Sequence, residues 1–353
     1  LWSVLGILGE VLMTLAAVCA LYVVWQMWWT GVQAERVQAQ TREQTSWSDP
    51  ASAANAKIAQ AQQGDAPVQP ESANYGDLVA QIYIPRFGQN WERNIVEGTD
   101  AAQLARHGLG HYTDTQMPGQ VGNFAVAGHR NGYGQPLGDV DKLQTGDPII
   151  VRSQDYWYVY TYTKYKIVSP KDTEVIAANP ENPGAAATTR MITLTTCEPK
   201  YSTPTSRWIV WGELKYWAKV ADGMPQELAT TGNDGTVKFA ANSTAYLSPA
   251  AKMGSLAPYV RGALLAWLIF FIAAAVAWQW PVIRAIRQGE RPQPDASIYG
   301  TLMRLQPGVL PIRILLTALL LFAAAASLFE WGFPWAASHI PIMQQMSNYV
   351  ALN

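Results

Sequence analysis

The stretch TLTTCEPKYSTPTSRWIVWGEL, Thr193 to Leu214, closes a Thr-rich apolar run on a cysteine and opens the next run on an arginine. The chain has two cysteines, and the other, Cys19, lies inside a long apolar run. Cys197 therefore has no disulfide partner within its own domain, and such a lone thiol reads as an intermolecular link or a nucleophile. It precedes Glu198-Pro199, a chain exit, where a side chain reaches a rim; this favours a nucleophile over a small buried hydrophobe. A cysteine nucleophile needs a proton partner. Of the four histidines, His339 lies beyond the last apolar run. His107 and His111 fall in or just after a short helical segment, where a solvated surface position is expected. His129, in VAGHR, sits past a buried run and a glycine, and is best placed to act as general acid and base. Acyl transfer also needs a donor for the oxyanion. Arg207 comes ten positions after Cys197. If the two strands are neighbours, the turn brings its fork back to the thiol as oxyanion donor and substrate clamp. Arg130 and Arg190 are its rivals, with Arg130 pointing away if His129 points in.

Other chemistries find less support. One cysteine and scattered histidines give no metal-ligand spacing. The segment GHRNGYGQPLGD lacks the strand–helix context and the lysine of a phosphate loop, and reads as a turn-rich loop. No residue pattern calls for a cofactor. The net charge of −1 argues for no nucleic-acid partner.

The elements that must position these side chains begin in a membrane. Charged residues make up 14% of the 353-residue chain, well below the roughly 25% of soluble domains. Three apolar runs account for the deficit: Val11 to Trp29, Gly262 to Trp280 and Ile314 to Phe333. Each approaches the roughly 20 residues that cross a bilayer, with tryptophans at the ends where amphipathic rings favour the boundary. No small-x-small cleavage site follows the first run, and Val18 precedes Cys19 where a lipoprotein signal carries a small residue. An uncleaved anchor and an inert Cys19 are expected. Between the last two runs stand Arg284, Arg287, Arg291, Arg304 and Arg313, so this loop reads as cytoplasmic and the segment between the first two runs as extracellular.

The chain then divides into an anchor over 1–32, an extracellular stalk over 33–75, a catalytic domain over 76–217, a polar connector over 218–258, and two transmembrane helices with the Arg-rich loop over 259–353. The stalk is too poor in apolar residues to offset its ordering entropy, apart from transient helix around Ala54 to Gln63. In the domain, LVAQIYIP, NFAVAGHR, the hairpin DPIIVRSQDYWYVYTYTKYKIVSP, MITLTTC and RWIVWGELKYW read as strands. DAAQLARHGLGHY reads as a short helix with Asp100 as its N-cap. Five to eight strands with little helix predict a mainly β fold, a closed or nearly closed β-barrel.

Taken in order, NFAVAGHR, TLTTC and the downstream Arg207 resemble the sortases, cysteine transpeptidases of Gram-positive surfaces, over about Asp77 to Tyr216. GHYTDTQMPGQVGNFAVAGHR is most similar to the class E subgroup of high-GC Gram-positive bacteria, with Tyr112 after the Gly-His pair. The resemblance implies a closed eight-stranded sortase-type β-barrel. It implies cleavage of a C-terminal LAxTG- or LPxTG-like sorting signal between Thr and Gly through a thioacyl intermediate at Cys197, with His129 and Arg207 as its companions. The implied partners are secreted proteins that bear the signal, and an acceptor amine from a peptidoglycan precursor or a pilin lysine. By the same carry-over, Tyr112 and Thr196 line the substrate groove, and Val168, Ile176 and Ala177 meet the signal's Leu beneath the loop VSPKDTEVIAANPENPG. The two C-terminal runs depart from the single-anchor class E plan. A membrane-tethered β-module that binds wall components without catalysis explains the anchor and barrel, but not the three reactive side-chain types at strand ends. Transpeptidases of wall crosslinks carry local His–Gly and Ser–x–Gly–Cys patterns that are missing here.

The expected topology is tested by placing single cysteines at Ser297 and Ser347 in a chain that lacks its own two. In intact cells a membrane-impermeant maleimide is expected to label position 347 and spare 297; labelling at 297 overturns the arrangement.

Overall fold

The computed structural model describes residues 2–48, 57–231, 237–239, 247–341 and 343. They form two compact units: residues 27–254 make up most of one, and residues up to Gln26 with Ser255–His339 the other.

Helix α1 (Trp2–Val24) is followed by a π-helical turn, Trp25–Trp29, and by α2 (Thr30–Gln44). In the first unit eight strands close a barrel: β1 (Leu78–Tyr83), β2 (Glu92–Glu97), β3 (Leu109–His111), β4 (Gly122–Gly128), β5 (Pro148–Arg152), β6 (Tyr156–Val168), β7 (Arg190–Glu198) and β8 (Ser206–Lys219). Around the barrel the order is β1-β2-β3-β4-β7-β8-β6-β5. The pairs β2/β3 and β4/β7 are parallel and the others antiparallel. The expected closed eight-stranded barrel is therefore present. Helix α3 (Ala101–His107) crosses between β2 and β3, and Asp100 caps it by accepting from the N–H groups of Ala102 and Gln103. Gly108, at φ +95°, ends it in a conformation a side chain rarely adopts.

Strand alternation fills the interior with Ile82, Ile95, Leu109, Phe124, Val126, Ile149, Val151, Ile192, Leu194 and Val210, all essentially inaccessible. Burying each such side chain contributes about 1.5–3 kcal/mol. On the outside, Tyr83, Ile150, Trp157, Val159 and Tyr216 form a second cluster with Ala59, Val220 and Leu228.

That second cluster corrects the expected stalk and connector. The described part of the Ala54–Gln63 stretch is extended, not helical: Ile58 bridges Met224 and Gln62 bridges Trp217. Residues 49–56 lie outside the described ones. Strands β9 (Ala229–Thr231) and β10 (Val237–Phe239) pair, and Phe239 packs on the outer cluster. The front of the stalk differs more. Residues 30–44 are helical and laid on the barrel, with Val32, Ala34, Gln38 and Ala39 buried. The reason is β2, ERNIVE, which turns polar side chains toward the helix. Asn94 is wholly buried: it donates from Nδ2 to the Gln38 carbonyl (3.0 Å) and accepts from Arg42 Nη1 (2.8 Å), while Gln38 Oε1 accepts from its backbone N–H (3.1 Å). Arg42 also pairs with Glu92 at 3.6 Å. A polar strand face and a polar helix satisfy each other, which an apolar count could not reveal.

The other unit contains α1 with the remaining long helices. Helix α4 (Pro249–Met253) belongs to the barrel unit. Then come α5 (Ala257–Ala277), α6 (Pro281–Arg287), α7 (Ile298–Leu305), α8 (Leu310–Ser327), a π-helical turn over Leu328–Gly332, and α9 (Phe333–His339). Three stretches, Val4–Gln44, Ala257–Ala277 and Leu310–His339, are long and apolar enough to cross a membrane. Glu330, the lone carboxylate at the end of the last apolar run, accepts from the Leu256 backbone N–H (2.9 Å) and from the Ser255 hydroxyl, and so caps the start of α5.

Asn94→Ala removes two of the three hydrogen bonds between β2 and α2 and leaves Arg42 without its amide partner. We expect it to weaken docking of the helix by about 2 kcal/mol. Trypsin should then cut after Arg36 and Arg42 well before the barrel melts, and wild-type protein should resist.

Candidate active site

Strands β4, β7 and β8 are neighbours, and their registers align the three reactive side chains. Ala127 pairs with Thr195, so Cys197 lies two residues beyond that pair on β7 and His129 two residues beyond it in the chain, just past the end of β4. Cys197 pairs directly with Arg207 on the antiparallel side. His129, Cys197 and Arg207 thus occupy one cross-strand row at one end of the barrel, with strands about 4.8 Å apart. The β7–β8 turn is short, and the Thr205 N–H donates back to the Glu198 carbonyl at 2.9 Å.

Residues two apart share a face, so Thr193, Thr195 and Cys197 point one way while Ile192 and Leu194 fill the barrel. Thr193, Thr195 and Cys197 therefore share the outer face of the barrel. Thr195 Oγ1 and the Tyr112 hydroxyl lie 3.0 Å apart, which brings Tyr112 to this face. Thr196 points the other way: its hydroxyl donates to the Gly128 carbonyl (2.7 Å) and straps β7 to β4 just before the histidine. Period-two alternation in TLTTC could have placed Thr195, not Thr196, on the face of Cys197. Val168 packs with Met191, Ile209 and Trp211, and Val175 leans on the same patch. The covering loop is tied down at two points. The Trp211 indole donates to the Val175 carbonyl (3.2 Å), and the Asn123 amide donates to the Ala177 carbonyl (3.0 Å). Ile176 and Ala177 are half-buried in that tied segment.

His129 is 8% exposed, and burial pushes its imidazole down to about 4 from the usual 6.5. Among the described residues its Nε2 has no hydrogen-bond partner. Its ring stacks on Tyr133, with centroids 4.6 Å apart. A buried, neutral imidazole with a free Nε2, one strand from a half-buried thiol, is suited to take that thiol's proton. Arg207 Nη1 donates to the Ser206 carbonyl beside it at 3.1 Å.

The rival arginines are engaged. Arg130 is 6% exposed, pairs with Glu198 and with Asp141 (3.4 Å), and lies 4.7 Å over the Trp208 ring. Its Nη1 also reaches the Cys197 carbonyl at 3.4 Å, so it braces the chain just past the thiol. Arg190 begins β7, seven residues and about 23 Å from Cys197. There it donates to the Gly119 carbonyl (2.8 Å) and pairs with Asp65.

His111 is corrected. It is wholly buried, with Nδ1 2.7 Å from a Glu97 carboxylate oxygen and its ring stacked on Phe124. Its Nε2 lies 3.0 Å from the Thr115 hydroxyl, in the turn that begins with Tyr112. The Glu97–His111 pair therefore anchors the segment carrying Tyr112. His107 is half-buried, and desolvation lowers its pKa.

A sortase-domain family model matches residues 82–215. The chain is 34% identical over 234 residues to Sortase SrtE2 of Streptomyces coelicolor, covering 63% of this chain and 87% of that protein. It is 33% identical over 232 residues to Sortase SrtE1 of the same organism, where the match spans 60% of the relative's length. Among solved structures it resembles sortase E from Streptomyces avermitilis, with 41% identity, 44% of this chain and 99% of that one covered, and a TM-score of 0.40.

Burial of His129 makes acid stability a readout of the site. The unfolded chain takes up a proton near pH 6.5, whereas the folded barrel refuses it until about pH 4. The contribution is intact above about pH 6.5 and declines as pH falls to about 4, by about 3 kcal/mol at the bottom. Denaturant melts of wild type and His129→Gln at pH 7 and pH 4.5 should show wild type losing more stability than the variant. Equal losses would sink the assignment of a low-pKa imidazole.

Proposed function

The chain belongs to the sortase family of cysteine transpeptidases, and from that premise we propose that its barrel cleaves a C-terminal LAxTG- or LPxTG-like sorting signal between Thr and Gly. The protein so released from its tail is passed to an amine of a cell-wall precursor or a pilin lysine. The observation that carries this reading is the placing of His129, Cys197 and Arg207 at the ends of three adjacent strands, beside an apolar patch and a tied loop.

The chemistry follows from the row. His129, neutral near pH 7, removes the thiol proton as the sulfur attacks the Thr carbonyl carbon. The carbonyl oxygen becomes an oxyanion, and the Arg207 guanidinium is the charged donor beside Cys197 to hold it. Collapse breaks the C–N bond to Gly, whose amine leaves with the proton from the imidazolium, and a thioester remains on Cys197. The acceptor amine attacks that thioester carbonyl and loses its proton to His129. Collapse expels the thiolate, and the imidazolium returns its proton to it. Tyr112 and Thr195 contact the signal near its Thr, and Val168, Ile176 and Ala177 receive its Leu. The same reading puts the barrel outside the cell and the Arg-rich loop, 284–313, in the cytoplasm.

Mass spectrometry of products from LAxTG and LPxTG peptides with a candidate amine tests the reaction, with Cys197→Ala forming no acyl product. Arg207→Lys keeps the charge but not the planar fork that can hold an oxyanion and a peptide carbonyl together. We expect kcat/KM to fall about 10²- to 10³-fold with thermal melting unchanged. Turnover near wild type in both Arg207→Lys and Arg207→Ala removes the residue from the site.

A further inference from the structure

Between His129 and β5 the backbone makes an unusual turn. Gly132, Tyr133, Gly134 and Gln135 are all left-handed, at φ +68°, +51°, +78° and +46°. Glycines adopt this region freely, but a bulky Tyr and a Gln are strained there and persist only when their surroundings hold them. Tyr133 is 3% exposed, and it is the residue whose ring stacks on the His129 imidazole. Something must therefore hold the turn against the histidine.

The first turn of α2 lies against it. Thr30 is buried, and its hydroxyl accepts from the Tyr133 backbone N–H at 2.9 Å. The next residue, Gly31, has no Cβ, and one placed there would lie 2.8 Å from the Gly134 nitrogen and 2.9 Å from its Cα. Helix and turn thus meet backbone to backbone at a point where only glycine fits. From the far side Arg93 Nη2 donates to the Gly134 carbonyl at 3.2 Å. The ionisable groups packed about the turn are Arg93 and Glu92 from β2, Arg130 from the turn itself with its partner Asp141, and Glu35 and Arg42 from α2, which line the adjoining cleft with Tyr133 and Gly134.

The geometry points to Thr30 and Gly31 as positioning residues for the general base: they hold the left-handed turn whose Tyr133 ring sets the place and burial of the His129 imidazole. This rests on the transpeptidase reading for its kinetic consequence, but not for the contact itself. The catalytic machinery then extends beyond the barrel to a helix about a hundred residues earlier in the chain. Thr30 and Gly31 touch no reacting atom and act through Tyr133.

The test uses the full chain in detergent micelles. Thr30→Val removes the acceptor with little change in shape, and Gly31→Leu wedges helix from turn. Thr30→Ser keeps the hydroxyl, and Gln33→Leu changes an exposed position on the same helix. Two readouts are taken across pH: kcat and KM on a sorting peptide, and the rate of Cys197 alkylation by iodoacetamide, which needs no peptide. Thr30→Val and Gly31→Leu should lower kcat about tenfold to a hundredfold with KM nearly unchanged, the loss typical of a displaced catalytic group. They should also shift the pH profile of alkylation, while Thr30→Ser and Gln33→Leu match wild type. If Gly31→Leu fails to fold, Thr30→Val decides. Alkylation and kcat profiles that match wild type in Thr30→Val overturn the inference. Should wild type cleave no sorting peptide while Thr30→Val still shifts the alkylation profile, the positioning role stands and the transpeptidase reading falls.

Discussion

The parallel ladder between β4 and β7 is the interaction on which the rest of this barrel depends. Six consecutive pairs, from Gly122↔Arg190 to Ala127↔Thr195, fix how far each strand runs before it leaves the sheet. A slip by one residue would turn Cys197 into the barrel and Thr196 out to its outer face, since side chains alternate along a strand. The Thr196 hydroxyl on the Gly128 carbonyl and the Thr193 hydroxyl on Asn123 Oδ1 guard against that slip, because in any other register these buried polar groups lose their partners. The second reactive strand is held more simply, by an antiparallel ladder running from Met191↔Glu213 to Glu198↔Ser206.

Around this ladder the molecule spends polar residues where a smaller barrel would use apolar ones. Asn94, Glu92, Glu97 and His111 are all buried, and each meets a group on another element: α2 for the first two, and one another for the last pair. Such networks stabilise little in net but discriminate strongly, since a misplaced partner leaves a desolvated polar group unpaired. The outcome is that α2 and the Tyr112 turn each have one well-defined seat. The same logic applies to Arg130, whose guanidinium, between Glu198, Asp141 and the Trp208 ring, holds the exit of β7 in place beside the thiol.

The parts legible in the sequence are those whose signal is local. Alternation in LVAQIYIP, NFAVAGHR and MITLTTC, the Asp100 cap and the Tyr-rich hairpin all name elements found in the structure, and the lone cysteine with its Arg and His names three members of one row. The parts that were not legible depend on distant partners. Strand β2 carries its polar residues toward α2, and no alternation in its sequence names it. His111 reads as a surface residue until Glu97 is opposite it. Helix α2 reads as a solvated stalk because its buried face is Val32, Ala34, Gln38 and Ala39, too small and polar to register as a hydrophobic stripe. The turn after His129 was visible as Gly-rich, but its handedness depends on what packs behind it.

The ladders that close the barrel carry side-chain hydrogen bonds between residues far apart in the chain: Thr196 to Gly128 spans 68 positions and Arg152 to Gln81 spans 71. Contacts of this reach form late, because loop-closure entropy must be overcome before they stabilise anything. Until β7 adds to β4, the thiol and the imidazole belong to separate fragments with nothing to hold them in one row. The approach of the thiol to the imidazole and the closure of the barrel are therefore a single event. A barrel arranged in hairpin order could have assembled its reactive row piecemeal. Here strand order alone delays that approach until β7 joins β4.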